Sequence, residues 1–364
     1  MNFHKILEYY ERQSIISFVK VNQRAIADRL NLSTATVSKS LRNNSEIHPQ
    51  TRAQVIEMAS QLGYRPAGLR MDKNRKLPSD MVSICLMLQT DAKIGSEQTP
   101  HANMVLAGMS EAAHAANVSV AVHYVPWRDR DRVMDPSCQP AALREGKLSG
   151  LVLQHYFSAD VVKALAEQLP CVCITRHSPG IRVDYVDLDA PQAMALTVGH
   201  LYGLGHRRIG FLGGSNHLAW HQERFSAYVQ TALSLGLTYD PSIADPTLDT
   251  MVEDGALIDW VVEQTRSGVT AWVTASDRIG YTWCERLMAR GLRIPQDVSI
   301  TGVDAVPGPA LCPPLTTIRV PFEAMGRAAV RQLIARIREP AAPLRRICFE
   351  GQLIEGMTTG PAAR

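Results

Sequence analysis

From residue 81 to residue 364, short aliphatic and β-branched runs alternate with longer stretches whose apolar positions recur every three to four residues. The runs predict strands over 82–88, 118–124, 150–154, 171–174, 208–212, 271–274 and 298–303. The stretches between them predict helices over 104–116, 159–168, 192–204, 222–235, 254–265, 278–290 and 322–337. This alternation is the signature of βαβ units on parallel sheets. Roughly 285 residues is large for one open sheet, so two similar α/β lobes with a cleft between them are expected.

The first 62 residues carry no strand pattern. In 23–30, Ala25, Ile26, Ala27 and Leu30 share one helical face; Asn31-Leu32 then makes a tight connection. Ser33 is placed as the N-cap of a second helix, 34–41, whose Val37 and Leu41 turn inward while Thr34, Ala35, Thr36, Ser38 and Lys39 stay outside. A third helix, 49–62, has Pro49 in its first turn and is expected to bury Val55, Ile56, Ala59 and Leu62. The spacing is that of a helix-turn-helix, but a three-helix bundle with no nucleic-acid role would show the same periodicity. Residues 63–80 are polar and basic, broken by Gly63, Pro66, Gly68 and Pro78, and read as a hinge or linker. The predicted organisation is therefore 1–62, 63–80 and 81–364.

Composition narrows the class. At 46% hydrophobic and 20% charged residues the chain has ample material for a core. The formal net charge of +3 hides an asymmetry: residues 1–76 hold 13 basic against 6 acidic residues, and the remainder 25 against 29. A basic head on a mildly acidic body points to a polyanionic partner for the head. No apolar run approaches the roughly 18 residues of a membrane span. Glu8, Glu11, Arg12 and Lys20 interrupt the first twenty residues, which argues against a secretory leader and for a cytoplasmic protein. The seven cysteines are odd in number and show no disulfide spacing. Cys171-Val172-Cys173 falls in a predicted strand and is expected to send its thiols to opposite faces, so no metal site is expected there. The run 210–214 (GFLGG) lacks the Gly-Lys-Ser/Thr of a phosphate loop, no catalytic triad or carboxylate pair stands out, and no cofactor is expected.

Residues 27–41, followed by Thr51-Arg52, Val55 and Leu62-Gly63-Tyr64-Arg65-Pro66, strongly resemble the DNA-binding head of the LacI/GalR family of bacterial transcription regulators. The resemblance continues in order through Val198-Gly199-His200-Leu201, Leu204-Gly205-His206-Arg207-Arg208-Ile209, Ile294-Pro295-Gln296-Asp297-Val298 and Pro313-Pro314-Leu315-Thr316-Thr317-Ile318 to Gly326-Arg327-Ala328-Ala329. It implies an N-terminal all-α helix-turn-helix domain, a hinge and a periplasmic-binding-protein-like core of two Rossmann-like lobes. It implies too a homodimer on a pseudo-palindromic operator, with no membrane partner, and a small effector, a sugar or sugar derivative, bound between the lobes. Effector-driven lobe movement would then change the geometry of the paired heads and so control transcription, most simply as a repressor.

By the same resemblance, Thr34, Ala35 and Lys39 stand at base-reading positions, and Ser33, Thr36 and Ser38 at phosphate contacts. Lys39, where many members carry Arg, can donate to guanine but lacks the rigid fork. The hinge departs from the family: where members that bend DNA wedge a leucine into the minor groove, this chain has Lys73, with Gly68 and Asp72 nearby. Either Leu69 or Met71 replaces that wedge, or the hinge forms no helix; Arg70 and Lys73 would still reach phosphates. About twenty residues precede the family's usual start, with Phe3, Ile6, Leu7 and Tyr10 at helical spacing, as for a helix packed on the head or one aiding dimerisation.

In the core the resemblance makes Arg224 and Asp304 effector contacts, and strand ends make Arg176 and Asp277 further candidates. Trp220 and His221 are placed in the loop before Arg224, where Trp220 can stack on a sugar ring. Two rival readings are a solute-binding protein without DNA function and a cleft enzyme. The first is opposed by the helix-turn-helix pattern, the second by the lack of a catalytic constellation.

Overall fold

The structure, a computed structural model, describes residues 22–41, 47–62, 83–90, 100–154, 157–175, 180–213, 219–244 and 254–362. The chain divides into two compact units, Met1–Asp80 and Met81–Arg364. The N-terminal extension, the hinge with Leu69, Arg70, Met71 and Lys73, and the effector candidate Arg176 lie outside the described residues.

In the first unit α1 is Gln23–Leu30, α2 Thr34–Leu41 and α3 Pro49–Gln61. The Asn22 side chain caps α1 by accepting the Ala25 N–H at 3.0 Å. At its other end Asn31 takes a left-handed conformation (φ 52°), which turns the chain sharply and lets its N–H reach the Ala27 carbonyl. Ser33 caps α2 by accepting the Thr36 N–H at 3.0 Å. Ile26, Ala27, Val37, Val55 and Ala59 form the buried centre, with Leu30, Leu32, Leu41, Met58 and Leu62 packed around it. Ile56, expected inside, is only half-buried, whereas Arg52 and Glu57 are buried. Positions 52, 55 and 59 of α3 point at the centre and 56 falls on its rim. The Arg52 guanidinium donates to the Ile47 carbonyl at 3.0 Å.

The second unit contains two sheets. Its elements are β1 Ser83–Thr90, α4 Pro100–Ala115, β2 Ser119–Pro126, a 3-10 turn Trp127–Arg132, α5 Ala141–Arg144, β3 Gly150–Gln154, α6 Ala159–Gln168, β4 Cys171–Ile174 and β5 Asp184–Leu188. Then come α7 Ala190–Gly203, β6 Ile209–Leu212, α8 Ala219–Ser234, α9 Gly255–Arg266, β7 Ala271–Thr274, α10 Asp277–Ala289, β8 Ser299–Asp304 and β9 Thr316–Arg319. The last elements are α11 Phe322–Arg338, β10 Arg346–Phe349 and β11 Gln352–Ile354. Sheet one has the order β10-β5-β4-β3-β1-β2 and sheet two β11-β9-β8-β7-β6. All described pairs are parallel except β11 with β9.

The chain therefore passes between the lobes three times: after β5, after β9 and after β10. Gln192 of α7 secures the last passage, bonding the Gly351 N–H and carbonyl at 3.0 Å each. On sheet one, α11 packs beside α4. Gly108 lies against the Glu323 carbonyl and Gly326 against the Val105 carbonyl, so neither position has room for a Cβ.

All seven predicted strands and seven predicted helices of this unit are present, with ends shifted by a few residues. Strands β5, β9, β10 and β11 were not anticipated. Asp184 and Asp187 interrupt the apolar character of β5, and β10 has the mixed burial of an edge strand. The expectation for Cys171 and Cys173 is wrong: side chains in a strand alternate with period two, so residues two apart share a face. Both thiols are buried in one apolar cluster with Leu151, Leu153 and Leu165. Burial pushes the Cys171 thiol far above its ordinary range. Among the described residues no helix is long and apolar enough to cross a membrane.

Candidate functional site

Two sets of sequence-predicted residues come together, one in each unit. On α2, Thr34, Ala35 and Lys39 are exposed side by side, with Ser33 exposed just before them and Thr36 and Ser38 half-buried. No acidic residue occupies the first turn at the N-terminal end of this helix. That end carries the positive pole of the helix and suits phosphate. The Ser33 and Thr36 hydroxyls are 2.8 Å apart, so both help to cap the helix. Ser40 is buried, a position the pattern did not single out.

In the second unit Trp220, His221 and Arg224 are all on α8, which starts at Ala219. Trp220 and His221 are therefore helical and not in a preceding loop. The physical reason is an i, i+4 contact within the helix: the Arg224 guanidinium lies over the Trp220 ring, 4.7 Å from its centroid. The guanidinium also donates through Nη1 to the Ala275 carbonyl and pairs through Nη2 with Asp304 Oδ1 at 3.6 Å. The two side chains are 8% and 14% exposed, so the pair is largely shielded from water. Ala275 follows β7 and Asp304 ends β8, which places the pair at the carboxyl ends of sheet-two strands. Asp304 and Ala305 have φ values of 128° and 56°, a left-handed turn that non-glycine residues seldom adopt. Burial pushes the Asp304 carboxyl up to about 7, against the pull of Arg224 and with a further push from Asp277.

Asp277, a further effector candidate, lies next to this pair and supports it. It is fully buried. Its Oδ1 accepts the Thr317 hydroxyl at 2.5 Å and its Oδ2 the Val306 N–H at 2.8 Å. Burial raises it to about 6 while these donors pull it down. Asp277 thus holds the turn that carries Asp304, and Gly302 leaves the space for it, since a Cβ there would meet Asp277 Oδ1.

Sequence reasoning missed four residues. Gln154, the last residue of β3, is fully buried, and among the described residues neither its amide nitrogen nor its oxygen has a hydrogen-bond partner. A polar residue closing the run Gly-Leu-Val-Leu-Gln was the signal that could have found it. It stands beside β1, where sheet one changes winding direction, so its orphaned amide suits a ligand in the cleft. Asp187 of β5 is 4% exposed, and its Oδ2 has no hydrogen-bond partner among the described residues. Burial and the nearby Glu223 carboxylate raise it to about 7. Glu223 of α8 and Arg346 of β10 form an ion pair across the lobes, with Nη2 3.2 and 3.0 Å from the two carboxylate oxygens. Nothing local in the sequence brings these last three together.

Comparison with known proteins agrees with both halves. Residues 24–67 match the family model described as "Bacterial regulatory proteins, lacI family". Residues 198–359 match the "Periplasmic binding protein-like domain". The transcriptional regulator MalR of Streptomyces coelicolor is 26% identical over 350 residues, covering 93% of this chain and 96% of that protein. The transcriptional repressor CytR of Escherichia coli is 26% identical over 321 residues, covering 86% and 89%. Among solved structures, a Lac repressor dimer bound to operator and an anti-inducer has a TM-score of 0.62 at 21% identity, covering 93% of this chain and 99% of that one. A transcriptional regulator CelR–cellobiose complex has a TM-score of 0.61 at 23% identity, with the same coverage. With an exposed helix-turn-helix, a two-lobed core and relatives along nearly its whole length, the chain belongs to the lacI family of bacterial DNA-binding transcription regulators.

Proposed function

We propose that this chain is a cytoplasmic, homodimeric repressor whose operator binding is controlled by a neutral carbohydrate held between its lobes. The observation that carries the effector half is the Trp220–Arg224–Asp304 arrangement. An aromatic face offers stacking to a sugar ring. A guanidinium beside a buried carboxyl offers donors and acceptors that match vicinal hydroxyls. Because Arg224 is already engaged by the Asp304 carboxyl and the Ala275 carbonyl, a neutral polyol suits this site better than an acid. Gln154, at the end of β3 in the other sheet, offers a further amide. The relative CelR, described in complex with cellobiose, supports the sugar class, and the Lac repressor dimer on operator supports the assembly.

For the DNA half, Thr34, Ala35 and Lys39 are the proposed base readers, Ser33, Thr36 and Ser38 the phosphate contacts, and the hinge residues Arg70 and Lys73 further phosphate contacts. In this reading 1–62 is the DNA-binding domain, 63–80 the hinge and 81–364 the effector and dimerisation domain. Arg176 remains a proposed effector contact from its place after β4. Selection of bound duplexes from a random pool, at fixed salt, tests the first half. The expected result is a palindromic site whose half-site preference relaxes in Lys39→Ala; absence of any enriched site would refute it. A panel of neutral sugars scored by thermal shift tests the second half. A stabilising sugar that loses its effect in Arg224→Ala is expected, and stabilisation only by acidic or phosphorylated ligands would overturn the neutral class.

A further inference from the structure

The cross-lobe pair between Glu223 and Arg346 has an alternative partner waiting. Strand register places Cys348 opposite Asp187 and Arg346 opposite Tyr185. Residues two apart share a face, so Arg346 and Asp187 are diagonal neighbours on one face of sheet one. Such neighbours lie about 7–8 Å apart at the backbone, within reach of a long side chain. Asp187 Oδ1 takes the following N–H, of Leu188, at 2.9 Å. Its Oδ2 is buried with no hydrogen-bond partner among the described residues. Arg346 instead extends to Glu223, on the other lobe.

We infer that Arg346 is a latch with two carboxylate partners, Glu223 when the lobes are closed and Asp187 when they part, and that the exchange carries one proton. The charged and titratable groups facing Asp187 are Glu223 and Arg224 from α8 and Arg346 and Cys348 from β10. In the closed arrangement burial and Glu223 keep its carboxyl at about 7, so it holds a proton through much of the neutral range. When the lobes part, water reaches the carboxyl, Glu223 leaves with α8, and Arg346 is released to pair with it. All three changes favour the carboxylate, so the proton goes to bulk water. The closed state thus holds one proton more than the open state, and rising pH through about 7 favours opening. Glu223 adjoins Arg224, so the latch acts on the same helical turn as the proposed effector contact.

The test uses full-length protein without DNA or sugar, so it does not depend on the effector reading. Spin labels are placed through a genetically encoded amino acid at the exposed positions Lys163 on α6 and Leu233 on α8. Pulsed electron paramagnetic resonance then gives the distance between lobes at pH 6 and pH 8. The expected result is two distance populations whose ratio moves about tenfold toward the open one at the higher pH, the shift produced by one carboxyl at about 7 in the closed state and ordinary, near 4, in the open one. Asp187→Asn, close in shape, is expected to remove the pH dependence. Glu223→Gln is expected to favour the open distance at both pH values, and the reversed pair Glu223→Arg with Arg346→Glu to restore closure. A single pH-independent distance in the wild-type protein, an unchanged pH response in Asp187→Asn, or a reversed pair as open as Glu223→Gln would each overturn the latch.

Discussion

Arg336 grips both oxygens of Asp184, donating from Nε at 2.8 Å and from Nη2 at 3.0 Å. Its remaining N–H groups reach the carbonyls of Pro340, Ala342 and Pro343 at 3.0, 2.6 and 3.0 Å. The Arg345 N–H adds a further bond to Asp184 Oδ1 at 2.8 Å. One buried guanidinium therefore ties the end of α11 and the loop after it to the start of β5. That loop is what delivers Arg346 to the edge of sheet one.

Removing one partner leaves a buried charge without compensation. Asp184→Asn is expected to destabilise the core by about 3–5 kcal/mol, read as a lower urea midpoint with an unchanged slope. The pH dependence has a definite sign. Burial alone would raise the Asp184 carboxyl, but Arg336, the Arg345 N–H and the Gln332 side chain together hold it below its ordinary value. A depressed carboxyl contributes stability above its unfolded pKa, and that contribution is lost as pH falls through the folded one. Asp184→Asn should therefore flatten the acid limb of the stability profile below about pH 4.

Asp304 predicts the opposite slope. Its carboxyl is raised to about 7 in the folded protein, so the folded state binds the proton more tightly than the unfolded chain. Its ionised form costs stability, which falls as pH rises from about 4 through 7. Asp304→Asn is expected to be more stable than the wild type at pH 8, on the order of 2 kcal/mol, while losing response to the proposed effector. Equal unfolding midpoints at pH 8 would show that the pair is not under electrostatic tension.

Close approach of α4 and α11 depends on two glycines. Gly326→Ala places a methyl group against the Val105 carbonyl, and backbone cannot move aside as a flexible side chain would. The helices must separate, at a cost of about 1–3 kcal/mol. Calorimetry should show a fall of several degrees in the core transition, with duplex binding by the heads kept below that temperature.

In the head, Ser33→Ala removes the cap on α2 and should cost about 1 kcal/mol of head stability. Its effect on duplex affinity should be similar for all sequences. Lys39→Ala should instead relax preference at particular base positions with little loss of stability, because Lys39 is exposed. A Lys39→Ala variant that merely weakens all duplexes equally would make Lys39 a phosphate contact and not a base reader.

The features legible in the sequence were local ones. Ser33, Asn31 and the spacing of Ile26, Val37, Val55 and Ala59 define the head because capping and helical periodicity act within a few residues. The apolar runs at 150–154, 171–174 and 271–274 announced central strands because parallel strands covered on both faces must be apolar throughout. Arg224 and Asp304 could be named because they follow strand ends, where α/β sheets place ligands, and because the family motif marks them. Other features were settled only by tertiary structure. Strand β5 carries Asp184 and Asp187, which no apolar run announces, and Arg336, 152 positions away in the chain, makes one of them tolerable inside. Trp220 belongs to a helix, where Arg224 one turn on lies over its ring. Asp277 holds a turn because Thr317 and Val306 come to its two oxygens. The meeting of Asp187, Glu223 and Arg346 depends on three passages of the chain between lobes, and no pattern of neighbouring residues encodes which charges such passages bring face to face.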